Sequence, residues 1–123
     1  MNLVDSSGWL SFFADTKNAD KFFAPLHETA LLIVPTVVMY EVIKVLLREK
    51  GEDAAIIGQA HMQLGNVVDL SAELAVNAAS FSLELHIPMA DSIIWATARS
   101  FDATVWTQDE HFKGLEKVKY FGA

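Results

Sequence analysis

The sequence contains no cysteine. Disulfides, thiol nucleophiles and thiolate-held zinc are therefore excluded. A reducing, cytoplasmic setting suits such a chain. Glycine is sparse, with six residues dispersed along the chain. No G-x-x-x-x-G-K or G-x-G-x-x-G run occurs, so the phosphate-cradling loops of nucleotide-binding folds are missing. No G-x-S-x-G nucleophile elbow occurs either. Long hydrophobic runs are lacking too. The longest, from Ala30 to Tyr40, is broken by Pro35 and Thr36, well short of the ~20 apolar residues of a spanning helix. The first ten residues carry no basic stretch, and Asp5 interrupts their apolar character, so no leader and no membrane association are expected.

Positive charge is also in short supply. Nine Lys and Arg face sixteen Asp and Glu, for a net charge of −7. A general nucleic-acid binder would be basic, because affinity comes largely from neutralising phosphates. The imbalance changes meaning if some carboxylates hold cations. Two divalent ions add four charges and move −7 to −3, and a bound ion presents its own charge to a phosphate.

What is present is a core. Hydrophobic residues make up 52% of 123 positions, the size and content of one compact domain, expected over 1–123. Short apolar runs alternate with amphipathic ones, the pattern of an α/β fold. Strands are predicted over Asn2–Asp5, Leu31–Pro35, Val67–Asp69, Ala103–Thr107 and Lys117–Phe121, the last at an edge because of its alternating lysines. Helices are predicted over Gly8–Ala14 and Asn18–Leu26. A long helix then starts at Thr36, a candidate N-cap, and stops before Gly51 as C′ residue. Glu52–Leu64 forms another, and Ser71 caps the next. In that helix Leu74, Ala78, Phe81 and Leu85 form an apolar stripe beside a polar one of Glu73, Asn77, Ser80 and Glu84. Pro88 precedes a last helix over Ala90–Phe101, and Gln108–Gly114 forms a loop or a turn of helix. Strands joined through helices give a mainly parallel sheet, whose ligand crevice lies beyond the carboxyl ends of the strands.

That rule singles out carboxylates. Asp5 ends the first strand, and Asp109 follows the fourth. Asp91 sits in the first turn of its helix, in line with Ile94, Trp95 and Ala98, so it extends the buried stripe. Glu41 lies between Val37 and Val45 at i±4, on the border of the apolar face. Each has a structural reading as well. Asp5 can cap a helix, Asp91 can favour a helix dipole, Asp109 can open the turn before His111, and Glu41 can pair with Lys44 on the surface. Together, three aspartates at strand–helix junctions converge on one mouth, and a carboxylate facing inward needs a cation or donors. Without cysteine or paired histidines, that cation is a hard one such as Mg²⁺ or Mn²⁺. His27, His61, His86 and His111 are too scattered for a zinc motif. His61 is expected at a core edge, His86 beside a helix C-terminus, and His111 alone near the acids, with a minor role. Trp9, Trp95 and Trp106 are expected in the core. Phe12, Phe13, Phe22 and Phe23 exceed the needs of two short helices, so some exposure is expected. Lys44 and Arg48 share a face with Glu41, where they either contact substrate phosphates or form a solvated charged face.

The run Leu3-Val4-Asp5-Ser6-Ser7, the helix bearing Glu41, the run Ala90-Asp91-Ser92-Ile93-Ile94-Trp95-Ala96-Thr97-Ala98 and the run Thr107-Gln108-Asp109-Glu110-His111-Phe112 resemble PIN-domain nucleases. The likeness is strongest to the VapC-type toxins of toxin–antitoxin pairs, and it spans the chain in order. It implies a three-layer α/β/α sandwich on a mainly parallel five-stranded sheet, and Mg²⁺- or Mn²⁺-dependent hydrolysis of RNA. Asp5 and Asp91 would be the principal metal ligands. Glu41 and Asp109 would complete the set, with Asp109 the least direct, and Thr107 and Ser6 would orient a carboxylate or water. Glu110 and His111 stand where some members carry a further acid, so the number of ions stays open. A homodimer and a cognate antitoxin are the implied partners. The alternatives are a non-toxin RNA-processing nuclease of the same fold, a catalytically silent interaction module, and a phosphorylation-controlled receiver domain. The receiver would need paired acids after the first strand, where this sequence has serines.

Overall fold

The structure is a computed structural model that describes residues 1–122; Ala123, the last residue of the expected domain, lies outside the described residues. Five strands form one sheet in the order β3-β2-β1-β4-β5, and every pairing is parallel. They are β1 (Asn2–Val4), β2 (Leu32–Pro35), β3 (Asn66–Val68), β4 (Thr104–Thr107) and β5 (Val118–Tyr120). Six α-helices flank the sheet: α1 (Ser6–Ala14), α2 (Ala19–His27), α3 (Thr36–Glu49), α4 (Glu52–Met62), α5 (Ala72–Leu85) and α6 (Met89–Ser100). This is the expected α/β/α architecture, with an all-parallel sheet where a mainly parallel one was expected. No described helix is long and apolar enough to cross a membrane.

Burial explains the central strands. Leu3, Val4, Leu32, Ile33, Val34 and Val105 are fully enclosed, because helices cover both faces of a parallel sheet. On one face Phe22 of α2 packs edge-on to Phe121, which in turn lies against Trp106 of β4. On the other, Trp95 of α6 stacks on the fully buried Phe112. Residues 91–98 of α6 are all buried, since α5 covers the side that the sheet leaves free. The stripe from Leu74 and Ala78 meets Ile93 and Ala96 there. The parallel stripe of Glu73, Asn77, Ser80 and Glu84 faces solvent. The N-terminus of α1 sits close against β1. A Cβ at Gly8 would lie 2.5 Å from Val4 Cγ1 and 2.8 Å from the Phe22 ring, so only glycine allows this approach.

Several boundaries differ from expectation, each for a local reason. Asp5 leaves β1 because it caps α1, which therefore starts at Ser6. Asn18 stays outside α2 with its amide committed to Gln108 Oε1 and the Gly122 carbonyl. Leu31 closes a 3-10 turn and does not join β2. Thr36 is the first helical residue of α3, not its cap; Pro35 holds the cap position with no side-chain bond. Gly51 is the expected C′ residue, at φ 94°. Helix α4 ends at Met62, short of Leu64. Strand β3 starts one residue early, at Asn66, which pairs with Ile33 while its side-chain amide donates to the Leu32 carbonyl at 3.0 Å. Pro88 caps α6, which runs one residue ahead of the expected range. The Ala103 amide closes that helix onto Ala98, and Lys117 adopts φ 57°, so both lie outside their strands. Ser71 caps α5 as expected, accepting from the Leu74 amide at 3.1 Å.

Trp9 and Trp95 are core residues, whereas Trp106 is only partly buried. Phe22 is fully buried, Phe12 and Phe13 are half-buried, and Phe23 is exposed. His61 is exposed rather than at a buried edge, with its ring edge-on to Phe12 and Phe13. His86 takes the left-handed C-cap position of α5.

Candidate functional site

The carboxyl ends of β1 and β4 are adjacent in the sheet, and the chain turns sharply after each. Asp5 follows β1 and is 2% exposed. Its Oδ1 accepts from the Gly8 amide at 3.1 Å and from Ser7 Oγ at 2.6 Å. Its Oδ2 accepts from Thr107 Oγ1 at 2.6 Å. The same hydroxyl oxygen accepts from the Asp109 amide at 2.8 Å. Ser7 Oγ in turn accepts from the Gln108 amide at 2.9 Å. The loop after β4 is thus stitched to the first turn of α1, and Thr107 connects Asp5 to the segment bearing Asp109. Asp5 combines the capping role with a place in the mouth.

Asp109 caps a short 3-10 turn over Glu110–Phe112 by accepting from the His111 amide at 2.9 Å. That turn brings the His111 ring back over the acids. His111 Nδ1 lies 2.7 Å from Asp91 Oδ2 and 3.0 Å from Asp109 Oδ1. Ligand atoms of Asp91, Asp109 and His111 all fall within 4.8 Å of one another. Glu41 approaches from α3. It is half-buried, and its Oε1 is enclosed without a hydrogen-bond partner among the described residues. No ion pair joins Glu41 to Lys44 among the described residues; the Lys44 ammonium lies over the Tyr40 ring instead.

The crowding of acids is legible in their proton affinities. Burial pushes Asp5 up to about 6 from 3.8, against the opposing pull of its hydroxyl and amide donors, and the charge of Asp109 adds to the rise. Burial also raises Asp91, to about 7, followed by the charge of Asp109 and a hydrogen bond shared with it; His111 opposes the rise. Glu41 is raised by burial, held back by the Ser6 hydroxyl and raised further by Asp109. His111 is raised by its bond to Asp91 and the charge of Asp109. Asp109 is the charge that the other three acids all feel.

All four sequence-predicted acids therefore meet at one mouth, with Thr107 and Ser6 beside them. The charge of Asp109 reaches the other three acids, and both oxygens of Asp5 accept from donors, each keeping lone-pair capacity for a cation. His111 is placed on two of the acids, a larger part than its sequence suggested. The signal for it was the spacing Asp109-x-His111, in which a capping aspartate folds a histidine back over itself. Ser7 and Gln108 were missed, since nothing in their identity marks them as a brace.

The residues fit a divalent cation. Two carboxylates and an imidazole nitrogen whose ligand atoms lie within 4.8 Å of one another suit a cation between them, and the enclosed Glu41 Oε1 lacks a hydrogen-bond partner among the described residues. Carboxylate oxygens with one imidazole nitrogen suit a hard to borderline ion.

An α/β/α domain with an acidic, cation-fitting mouth at the carboxyl edge of a parallel sheet is thereby defined. The chain belongs to the PIN domain family of nucleases, whose profile matches residues 3–118. No curated protein matches it. Solved structures do. A toxin–antitoxin complex from Klebsiella pneumoniae superposes with a TM-score of 0.84 at 18% identity, covering 100% of both chains. VapC20 from Mycobacterium tuberculosis, described as a toxin cleaving the sarcin–ricin loop, gives 0.80 at 19% identity, covering 96% of this chain and 97% of that one. DNA-bound VapBC from Salmonella typhimurium gives 0.75 at 14% identity, covering 99% and 98%.

Proposed function

We propose that this PIN-domain nuclease is a Mg²⁺- or Mn²⁺-dependent endoribonuclease, the toxin of a VapBC-type pair, held inactive by a cognate antitoxin and working as a cytoplasmic homodimer. The observation that carries the metal is the convergence of Asp91, Asp109 and His111 within 4.8 Å. Asp5, Asp91, Glu41 and Asp109 would hold the ion, with His111 beside them and Asp5 fixed at the N-cap of α1. Bound there, a divalent ion would supply activation of a water and neutralisation of charge developing on a phosphoryl group. Glu41 Oε1, raised toward neutrality and without a partner, is the acceptor for a proton from the attacking water. Thr107 keeps the Asp5 carboxylate oriented, and Ser6 does the same for Glu41. In-line attack would form a bond from the water oxygen to phosphorus and break the bond from phosphorus to the 3′-oxygen, which takes a proton from solvent, leaving a 5′-phosphate and a 3′-hydroxyl.

The antitoxin reading draws on the solved toxin–antitoxin complexes that share this fold and on a large apolar cavity. About 600 Å³ opens between α1, α3 and α4, lined by Leu10, Phe13, Val45, Leu46 and Ile57. Ser7 and Gln108 also line it, and both brace Asp5 or its loop. An apolar helix seated there lies next to the acids. The decisive experiment incubates purified protein with RNA, with and without Mg²⁺ or Mn²⁺, beside Asp5→Asn and Asp91→Asn. Cleavage should require the ion and disappear in both variants. Cleavage that persists in EDTA or in Asp91→Asn overturns the proposal.

A further inference from the structure

Two consecutive residues of the turn after β4 dock on one face of α6. The Phe112 ring is fully buried and stacks on Trp95 with centroids 6.3 Å apart. One residue earlier, His111 Nδ1 lies 2.7 Å from Asp91 Oδ2. Asp91 and Trp95 are one helical turn apart, so they stand one above the other. The stacked rings therefore set the height at which the imidazole meets the carboxylate. A second tie comes from the backbone, where the His111 amide donates to Asp109 Oδ1 at 2.9 Å. That same oxygen is 3.0 Å from Nδ1. The imidazole is held against two acids by neighbours that are themselves anchored.

The other histidines are engaged elsewhere. His27 Nδ1 donates to the Phe23 carbonyl, His61 lies edge-on to Phe12 and Phe13, and His86 ends α5. The spacing at His111 is that of a coordination sphere. Adjacent ligands of an octahedral ion with bonds of ~2.1 Å are roughly 3 Å apart, and opposite ones roughly 4.2 Å. The 3.0 Å from Nδ1 to Asp109 matches such an edge, and the 2.7 Å to Asp91 falls just short of it. A histidine that served only as a counter-charge would be driven off by an arriving cation. Here the nitrogen already stands at ligand spacing, and the buried Phe112 resists its withdrawal. The His111 side chain is 52% exposed, which leaves the ring room for the small turn that coordination needs.

We propose that His111 Nδ1 is itself a ligand of the ion, added to the carboxylates, and that this nitrogen makes the mouth prefer Mn²⁺ to Mg²⁺. The inference rests on the nuclease reading above and adds the choice of ion. Mg²⁺ takes oxygen ligands and gives up water reluctantly, whereas imidazole nitrogen suits first-row transition ions. Carboxylates alone accept either ion, so the discrimination falls to the histidine. The substitution His111→Asn sets an oxygen where Nδ1 stands, since both atoms are bonded to Cγ. It separates the presence of a ligand at this point from the identity of its donor atom.

The test is calorimetric titration of the protein with Mn²⁺ and with Mg²⁺, in the absence of RNA, beside electron spin-echo envelope modulation of the Mn²⁺-loaded protein, which reports a directly bound imidazole nitrogen. The parent should bind Mn²⁺ more tightly than Mg²⁺ and show the nitrogen coupling. His111→Ala should lose the coupling and weaken Mn²⁺ at least about tenfold, since even the outer partners of metal ligands are worth that much, while Mg²⁺ binding falls far less. His111→Asn should also lose the coupling, yet hold Mg²⁺ at least as tightly as the parent does. A Mn²⁺-loaded parent without nitrogen coupling overturns the proposal, as does a coupling that survives in His111→Ala or a parent that binds no Mn²⁺. An equal loss of both ions in His111→Ala that His111→Asn does not restore also overturns it, because the histidine would then only support the turn. Nitrogen coupling in a protein that cleaves no RNA keeps the ligand and removes the nuclease reading; cleavage in Mn²⁺ without nitrogen coupling does the reverse.

Discussion

Replacing Asp91 with asparagine should abolish cleavage and yet make the metal-free protein more stable. Burial and Asp109 move Asp91 to about 7 from 3.8, so the folded chain holds this proton more tightly than the unfolded chain does. Stability is therefore lost as pH climbs from 3.8 toward 7, and the loss is complete above that range. After allowance for solvent screening at a partly open site, the ionised carboxylate disfavours the metal-free fold by on the order of 2 kcal/mol at pH 8. The opposing pull of His111 is already contained in the raised value, and asparagine keeps the shape without the charge. The variant should therefore gain about that amount, or roughly 5–10 °C in melting temperature for a chain of this length. Thermal melts of both proteins in EDTA, from pH 4 to pH 8, would show the gap opening through this window and levelling near neutrality. Raising Mn²⁺ should close the gap, because only the parent gains binding energy, about 2.7 kcal/mol at a hundredfold excess over its dissociation constant. A variant that melts at or below the parent in EDTA at pH 8 refutes the reasoning.

Two further predictions follow from the same geometry. Thr107→Val removes the donor to Asp5 Oδ2 and the acceptor for the Asp109 amide; kcat should fall at least tenfold with KM little changed, and an unaltered kcat in steady-state cleavage assays would show that the hydroxyl does not position the acids. Ser71→Ala, far from the mouth, deletes the cap on α5 and should lower stability by about 1 kcal/mol in chemical denaturation while leaving cleavage intact.

The architecture was legible because its periodicities are strong. Leu32–Val34 has no polar face and can only be a covered strand, and the stripe from Leu74 to Leu85 can only be a helix with one side buried. The errors fall where a side chain or backbone turn sets an end. Asp5 serves two purposes, so a residue read as the last of a strand is the cap of a helix. Asn66 enters β3 through an amide bonded to a strand more than thirty residues earlier, which local pattern does not encode. At the site, identity and position marked Asp5, Glu41, Asp91 and Asp109 as acids near a strand edge. Their relative placement depended on the 3-10 turn after β4, whose course is set by the stacking of Phe112 on Trp95. That turn puts Asp109 among the other acids and His111 above them. No spacing rule reports such a contact between residues from separate elements.

The bond from Thr107 to Asp5 has a consequence for biosynthesis. A nascent chain that has emerged only as far as α6 already exposes Asp5, Glu41 and Asp91, yet it lacks Asp109, His111 and the hydroxyl that ties the first strand to the fourth. Strand β4 must slide in beside β1, across about a hundred residues of intervening chain, before the mouth has its central charge. The acidic mouth is thus incomplete until β4 and the turn after it have emerged, and a product truncated before β4 lacks Asp109, His111 and the hydroxyl that ties them to Asp5.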